Sequence, residues 1–165
     1  MNFIPQLITD LMLIKPTIHK DSRGYFAETF RQDLFEDAIG YKVDFIQDNE
    51  SQSIKGVLRG LHYQLPPYAQ SKLVRVLEGR VLDVAVDIRK SSPTFGQHVA
   101  VELTEENNHQ LFIPRGFAHG YLVLSESATF LYKVDNYYAQ NFDHGIAFDD
   151  PKLGINWRLP LTDLL

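Results

Sequence analysis

The sequence predicts an all-β protein, a sandwich or barrel of short strands with little helix, and three observations predict it. Most of the chain consists of alternating or apolar runs rich in Val, Ile, Phe and Tyr, residues that suit a pleated, half-buried surface. Gly, Pro, Asn and Asp break these runs at close intervals, as turns between strands do. Only one segment shows a sustained helical period. Strands are expected over residues 11–16, 25–30, 43–51, 57–63, 72–78, 81–87, 97–103, 110–113, 118–123 and 129–134, and so many short strands in one chain suggest a sandwich or barrel.

The remaining elements have their own signals. In residues 31–39, Leu34, Phe35 and Ala38 recur at helix spacing, and Gly40 stands where a C-cap would. Residues 105–109 could form a single helical turn. The segment 66–71 and the stretch after Asp149 read as loop. Between Glu78 and Arg80, Gly79 supplies a positive φ for a hairpin joining two runs of strand character. In the second run Leu82, Val84, Val86 and Ile88 share one face, fit for a core. Val81, Asp83, Ala85 and Asp87 share the other, small and acidic enough to line a polar barrel interior.

With 165 residues, the chain has the size of a single domain, 1–165, able to bury most of the apolar surface its unfolded form exposes. No repeat, low-complexity tract or linker divides it. It has no cysteine, which removes disulfides, thiolate metal sites and a cysteine nucleophile together. The N-terminus lacks a basic region and its apolar residues are interrupted by Pro5 and Asp10, so no signal peptide is read there and a cytoplasmic location is expected. Composition suggests no membrane span. The formal charge of -5 argues against nucleic-acid binding, which draws on distributed Lys and Arg contacts to phosphates. An anionic ligand can still be held where a few cations converge.

Two stretches carry the chemistry. Gly56 followed six residues later by His62, and Pro114-Arg115-Gly116-Phe117-Ala118-His119, match the two halves of the cupin double motif, so the chain resembles a cupin jelly-roll barrel with short peripheral helices. A metal-binding cupin would place a second His where Gln64 stands, and a Glu where Tyr68 or Ala69 stands. His62 and His119 alone make a poor site for Zn²⁺, Mn²⁺ or Fe²⁺, so a reaction with no metal and no cofactor is expected.

An unmetallated imidazole titrates near neutrality, and in a water-excluding barrel it can take a proton from carbon beside a carbonyl. The reaction then needs a cation for the enolate oxygen and an acid to return a proton. Lys72, at the start of a strand, offers the first; Tyr132, within Phe130-Leu131-Tyr132-Lys133, offers the second. Inversion removes hydrogen from one face of a carbon and delivers it to the other, so base and acid must face each other across the substrate. His62 and Tyr132 come from strands far apart in sequence, which permits this.

Six ordered blocks then make the resemblance specific. Asp21-Ser22-Arg23-Gly24-Tyr25-Phe26-Ala27-Glu28, Phe45-Ile46-Gln47-Asp48-Asn49, Gly56-Val57-Leu58-Arg59-Gly60-Leu61-His62-Tyr63-Gln64, Lys72-Leu73-Val74-Arg75, Val84-Ala85-Val86-Asp87-Ile88-Arg89 and Ile113-Pro114-Arg115-Gly116-Phe117-Ala118-His119-Gly120 look like the signature blocks of the dTDP-4-dehydrorhamnose 3,5-epimerase family. They cover nearly the whole chain. The resemblance implies epimerisation at C3 and C5 of dTDP-4-dehydro-6-deoxy-D-glucose to dTDP-4-dehydro-L-rhamnose, with His62 as base, Tyr132 as acid and Lys72 as enolate stabiliser. It implies Arg23, Glu28, Gln47, Asn49, Arg59 and His119 as ligands of sugar, diphosphate or thymidine, and Phe26 as a platform for the base. Arg23 and Arg59 would meet the diphosphate with forked hydrogen bonds. It also implies a homodimer in which the N-terminal part of one subunit completes the site of the other.

The chain departs from this pattern in three ways. The family continues into a Ser-x-Lys-Asp segment whose Asp orients the catalytic His, whereas this chain stops at Leu161-Thr162-Asp163-Leu164-Leu165. Asp83 is the expected replacement carboxylate near His62, pairing with Arg75 being the plainer alternative. Asp143 stands where the family has the Glu of Glu-x-Gly, and this shorter acid is still expected to contact ligand. Strict alternation puts Arg59 and His62 on opposite faces of one strand, so a bulge at Gly60 is needed to bring both inward. The rival readings are a monoepimerase acting at C3 or C5 only, a non-catalytic nucleotide-sugar binding protein, and a metal-dependent cupin. Tyr137, Tyr138, Phe142 and Trp157 read as packing residues near the C-terminal edge.

Overall fold

The computed structural model describes residues 1–165. Strands β1 (Asn2–Pro5) and β2 (Met12–Lys15) lead into β3 (Ile18–Asp21), β4 (Gly24–Ala27) and the helix α1 (Gln32–Ile39). Then follow β5 (Gln47–Ile54), β6 (Leu58–Gln64), β7 (Lys72–Glu78), β8 (Arg80–Asp87), β9 (His98–Thr104), β10 (Gln110–Ile113), β11 (Phe117–Val123), β12 (Ser127–Val134) and β13 (Asp143–Gly145). One sheet has the order β1-β2-β10-β7-β12-β5, the other β13-β6-β11-β8-β9, and β3 pairs with β4 in a separate ribbon. The two sheets face each other as the cupin-type jelly roll that the sequence predicts.

Period-2 alternation sorts the side chains into three layers. Val74 and Val76 of β7, Leu111 and Ile113 of β10, and Phe130 of β12 meet Val81 and Ala85 of β8 and Tyr121 of β11 between the sheets. The intervening residues Leu73, Phe112, Met12 and Ile14 turn to the outer face of the six-stranded sheet, where Phe35 of α1 and Val43 cover them. Phe35 stands edge-on to Phe112, ring centroids 4.9 Å apart. Helix α1 ends as expected at Gly40, whose φ of 82° lets its N–H close on the Glu36 carbonyl at 2.8 Å. On the other side Leu61, Leu82, Val84, Val86, Ala118 and Leu122 form the outer face of the five-stranded sheet, buried under Trp157 and its neighbours. The sequence after Asp149 is loop by backbone, as expected, yet its apolar residues cap this sheet.

Several local expectations are corrected. Gly79 has the positive φ that the sequence calls for, +79°, but β7 and β8 do not pair. They lie in different sheets, and Gly79 is the corner where the chain crosses between them. A Cβ there would lie 2.1 Å from the Ser127 carbonyl oxygen, so this close strand crossing requires glycine. Residues 105–109 hold the single helical turn expected, the Asn108 N–H donating to the Thr104 carbonyl at 3.1 Å, and Thr104 and Asn107 brace it: the Asn107 N–H donates to Thr104 Oγ1 at 3.0 Å, and the Thr104 N–H to Asn107 Oδ1 at 3.1 Å. The expected strand over 43–51 begins only at Gln47, because Val43 and Phe45 are spent covering α1. Strands β1, β3 and β13 carried no strong sequence signal. Tyr137 and Tyr138 are exposed rather than packed, while Trp157 is buried and donates its indole N–H to the Phe148 carbonyl at 2.9 Å.

Candidate active site

The barrel mouth is built from facing strands. His62 and Arg59 come from β6 and His119 and Tyr121 from β11, on one sheet; Lys72 comes from β7 and Phe130 and Tyr132 from β12, on the other. Together with Ser51, Leu58 and Gly60 they line a cavity of about 350 Å³. A second hollow of about 300 Å³ shares His62, Lys72 and Tyr132 and adds Gln47, Asn49, Tyr63, Gln64, Gln70, Tyr138 and Asp143. The two hollows thus adjoin at those three side chains and together form the groove at the barrel mouth.

Arg59 and His62 share this cavity because β6 is irregular at Gly60, as the alternation argument required. His62 is opposite His119 and Arg59 is opposite Tyr121, so three steps along β6 match two along β11. Gly60 has φ +140°, and a Cβ on it would come within 2.5 Å of the Gly120 Cα. Only paired glycines let the two backbones approach this closely. Arg59 is steadied by its Nε–H donating to Ser53 Oγ at 3.0 Å. On the opposite sheet Asn49 of β5 lies beside Tyr132 in register, and the Gln47 amide donates to Asn49 Oδ1 at 2.7 Å.

The polar groups of the mouth are electrically tuned. Partial burial lowers the His62 imidazole below its usual value, with Lys72, His119 and Arg59 adding to the effect and Asp143 opposing it. The Lys72 ammonium is lowered to about 8 by burial, with Asp83 and then Asp143 acting to hold it up. Burial, with Tyr121 adding, raises the Tyr132 phenol, which therefore stays protonated near neutrality. Gln64 is fully used by the backbone: it donates to the Tyr68 and Tyr137 carbonyls at 2.7 and 3.1 Å and accepts from the Ala139 N–H at 2.6 Å. It ties the loop before β7 to the approach to β13.

Two expectations need correction. Asp83 is not beside His62; its Oδ2 lies 2.8 Å from Nε2 of His119. The expectation failed because alternation along β8 fixes the face of Asp83 but not its neighbour, which the β8–β11 register decides. The plainer alternative fails too, since Arg75 lies on β7 beside the outward-facing Leu73, in the field of Tyr25. His62 is exposed at the mouth rather than enclosed in the barrel. Arg23, Phe26 and Glu28, in the N-terminal part expected to complete a partner's site, line neither hollow of their own chain. The first two lie on the β3–β4 ribbon, where the Arg23 side chain is 87% exposed and paired to Asp21 at 2.7 Å, and Phe26 is 70% exposed. Glu28, just past it, is exposed as well.

Sequence reasoning missed Ser51, Tyr121 and Phe130. The Tyr121 hydroxyl lies 2.9 Å from Ser51 Oγ, and its ring stacks on Phe130 with centroids 4.0 Å apart. The signal was available: each lies two positions from a residue already singled out, Asn49, His119 or Tyr132, and so shares its face.

No three or more His, Asp or Glu side chains converge in an arrangement that could hold a metal ion. An imidazole facing a phenol and an ammonium across the mouth of a jelly roll defines a cupin-type isomerase. The chain belongs to the dTDP-4-dehydrorhamnose 3,5-epimerase family, whose model matches residues 5–164. It is 56% identical to the dTDP-4-dehydrorhamnose 3,5-epimerase of Shigella flexneri over 157 residues, 95% of this chain and 87% of that protein. The crystal structure of the enzyme of that name from Elizabethkingia anophelis aligns with a TM-score of 0.96 at 47% identity, over 99% of this chain and 90% of the other. A dTDP-6-deoxy-D-glucose-3,5-epimerase from Legionella pneumophila, solved in complex with dTDP-4-keto-L-rhamnose, aligns with a TM-score of 0.93 at 51% identity, over 96% and 84% of the two chains.

Proposed function

We propose that this chain is a dTDP-4-dehydrorhamnose 3,5-epimerase that converts dTDP-4-dehydro-6-deoxy-D-glucose to dTDP-4-dehydro-L-rhamnose. One observation carries the mechanistic reading: His62 enters the cavity from the five-stranded sheet, and Tyr132 and Lys72 enter it from the six-stranded sheet. In this reading His62 takes the proton from a carbon next to the C4 ketone, and the C–H electron pair moves into the carbonyl to leave an enolate oxygen. Lys72 offsets that charge. Tyr132 then gives its proton to the opposite face of the carbon, and solvent returns the phenolate and imidazolium to their starting states. Gln47, Asn49, Arg59, His119 and Asp143 are the proposed ligands of the sugar nucleotide around this centre. Incubated with substrate in D₂O, the protein should introduce solvent deuterium at both C3 and C5. Labelling at one position would make it a monoepimerase, and binding without labelling would remove the catalytic reading.

The tuned groups set the pH dependence. His62 acts as base only when neutral, so kcat/KM should rise as pH climbs through a value below the usual 6.5 of histidine. Lys72 stabilises an enolate only when charged, so kcat/KM should fall as pH passes about 8. A pH profile of kcat/KM checks both limbs. In Lys72→Arg the guanidinium keeps its charge, so the alkaline fall near that pH should vanish, whatever the loss in absolute rate.

We further propose a homodimer in which the β3–β4 ribbon of each chain covers the mouth of its partner. An isolated two-stranded ribbon is marginal in water, and this one holds Tyr25 and Phe26 out at 62% and 70% exposure. Covering an exposed His62 would also supply the water exclusion that proton abstraction from carbon needs. Sedimentation equilibrium should give twice the chain mass of 19.0 kDa; a monomer would end the proposal. No helix is long and apolar enough to cross a membrane, and a cytoplasmic location remains part of this reading, for cell fractionation to check.

A further inference from the structure

The proton-transfer reading leaves one buried charge without a task. Asp83 is fully enclosed and lines neither hollow of the mouth. Its Oδ2 lies against Nε2 of His119 at 2.8 Å, and its Oδ1 has no hydrogen-bond partner. A carboxylate oxygen left bare in a dry interior is costly, and natural proteins retain such a group where it answers a nearby cation. His119 and Asp83 are diagonal neighbours on adjacent strands, since β11 pairs His119 with Ala85 and Tyr121 with Asp83. That register fixes one oxygen on the imidazole and leaves the other free.

A cation stands on the facing sheet: Lys72 of β7 lines the mouth cavity together with His119, without a direct ion pair to Asp83. The charged and titratable groups around it are Asp83 from β8, Asp143 from β13, His62, Arg59 and Tyr63 from β6, His119 and Tyr121 from β11, Tyr132 from β12, and Tyr138 just beyond it. Only the two aspartates carry negative charge. Asp143 sits at the open mouth, where the Tyr138 hydroxyl donates to it at 3.3 Å, so solvent screens its field. Asp83 has no such screen, and of the two it acts more strongly on Lys72.

We infer that His119 and Asp83 form a two-link relay that positions Lys72, with His119 holding Oδ2 so that the free Oδ1 faces the ammonium and keeps it charged and aimed at the enolate oxygen. Asp83 is thus a positioning residue, remote from the reacting carbon, for the lysine that burial would otherwise neutralise. The relay rests on the reading of Lys72 as enolate stabiliser.

The test is the pH profile of kcat/KM in four proteins: the parent, Asp83→Asn, Lys72→Arg and the double variant. Asp83→Asn keeps the shape of the side chain and removes its charge. It should move the alkaline limb down by about one pH unit while leaving the acid limb of His62 in place. In the Lys72→Arg background the same substitution should move nothing, because the guanidinium has no proton to lose in this range. If Asp83→Asn lowers the rate equally at every pH, or shifts the acid limb instead, the relay is wrong. If Lys72→Arg leaves the alkaline limb of the parent where it was, the reading of Lys72 itself is wrong, and the two failures are thereby distinct. Should Asp83→Asn not fold, the parent protein is followed by NMR. The Asp83 carboxyl carbon should respond at the midpoint of the Lys72 titration, and a flat response there overturns the relay.

Discussion

His62→Ala is expected to reduce turnover by about 10³-fold or more, within the range by which a positioned general base accelerates proton transfer, and to abolish deuterium exchange at both C3 and C5. Substrate affinity should change by only a few-fold, because Arg59, Gln47, Asn49 and Asp143 remain around the groove. The reason for so large an effect is the lack of a substitute. The cavity holds a second imidazole, His119, but its Nε2 is engaged with Asp83 at 2.8 Å, whereas the His62 ring lines both hollows and is lowered in proton affinity by partial burial. Single-turnover NMR in D₂O checks this directly. Exchange persisting at the parental rate in His62→Ala would move the base to another residue.

Tyr132→Phe should behave differently, and the difference is the sharper test of a two-sided mechanism. With His62 intact, hydrogen still leaves the carbon and returns from the same face, so deuterium should appear in substrate recovered with its original configuration. Inversion, which needs a proton from the opposite sheet, should fall by about 10²-fold or more. The phenol is held up in protonation by burial and by Tyr121, and phenylalanine keeps its packing against Phe130, whose ring lies 6.1 Å away. Loss of fold is therefore not the expected outcome. If exchange and inversion fell together, base and acid would not be separate groups on facing sheets.

Much of this architecture is legible in the sequence because it is carried by local pattern. β7 and β10 occupy the predicted residues, since short apolar runs, Leu73, Val74, Val76 and Leu77 in one and Leu111, Phe112 and Ile113 in the other, end at Gly79 and Pro114. β5 is harder to read: Gln47-Asp48-Asn49-Glu50-Ser51-Gln52-Ser53 has no strand propensity, and it is a strand because β12 pairs with it along its full length. β1 and β13 are similarly defined by their partners. The turn at Gly79 was evident in the chain, but which sheet each arm joins depends on partners distant in sequence. The site divides the same way. His62, Lys72 and Tyr132 stand in recognisable blocks, and the bulge at Gly60 follows from alternation alone. The pairing of Asp83 with His119 depends on the register of two strands, which no local pattern encodes.

The strands that present His62 and His119 to the mouth bury their reverse sides, Leu61, Ala118 and Leu122, beneath Trp157 and the apolar residues of the last segment. The floor of the catalytic groove is thus one strand thick, and a belt of chain with almost no regular structure of its own backs it from outside. Precision on the inner surface depends on how firmly that belt is held down, which links the aim of an imidazole to an indole on the opposite side of the same sheet.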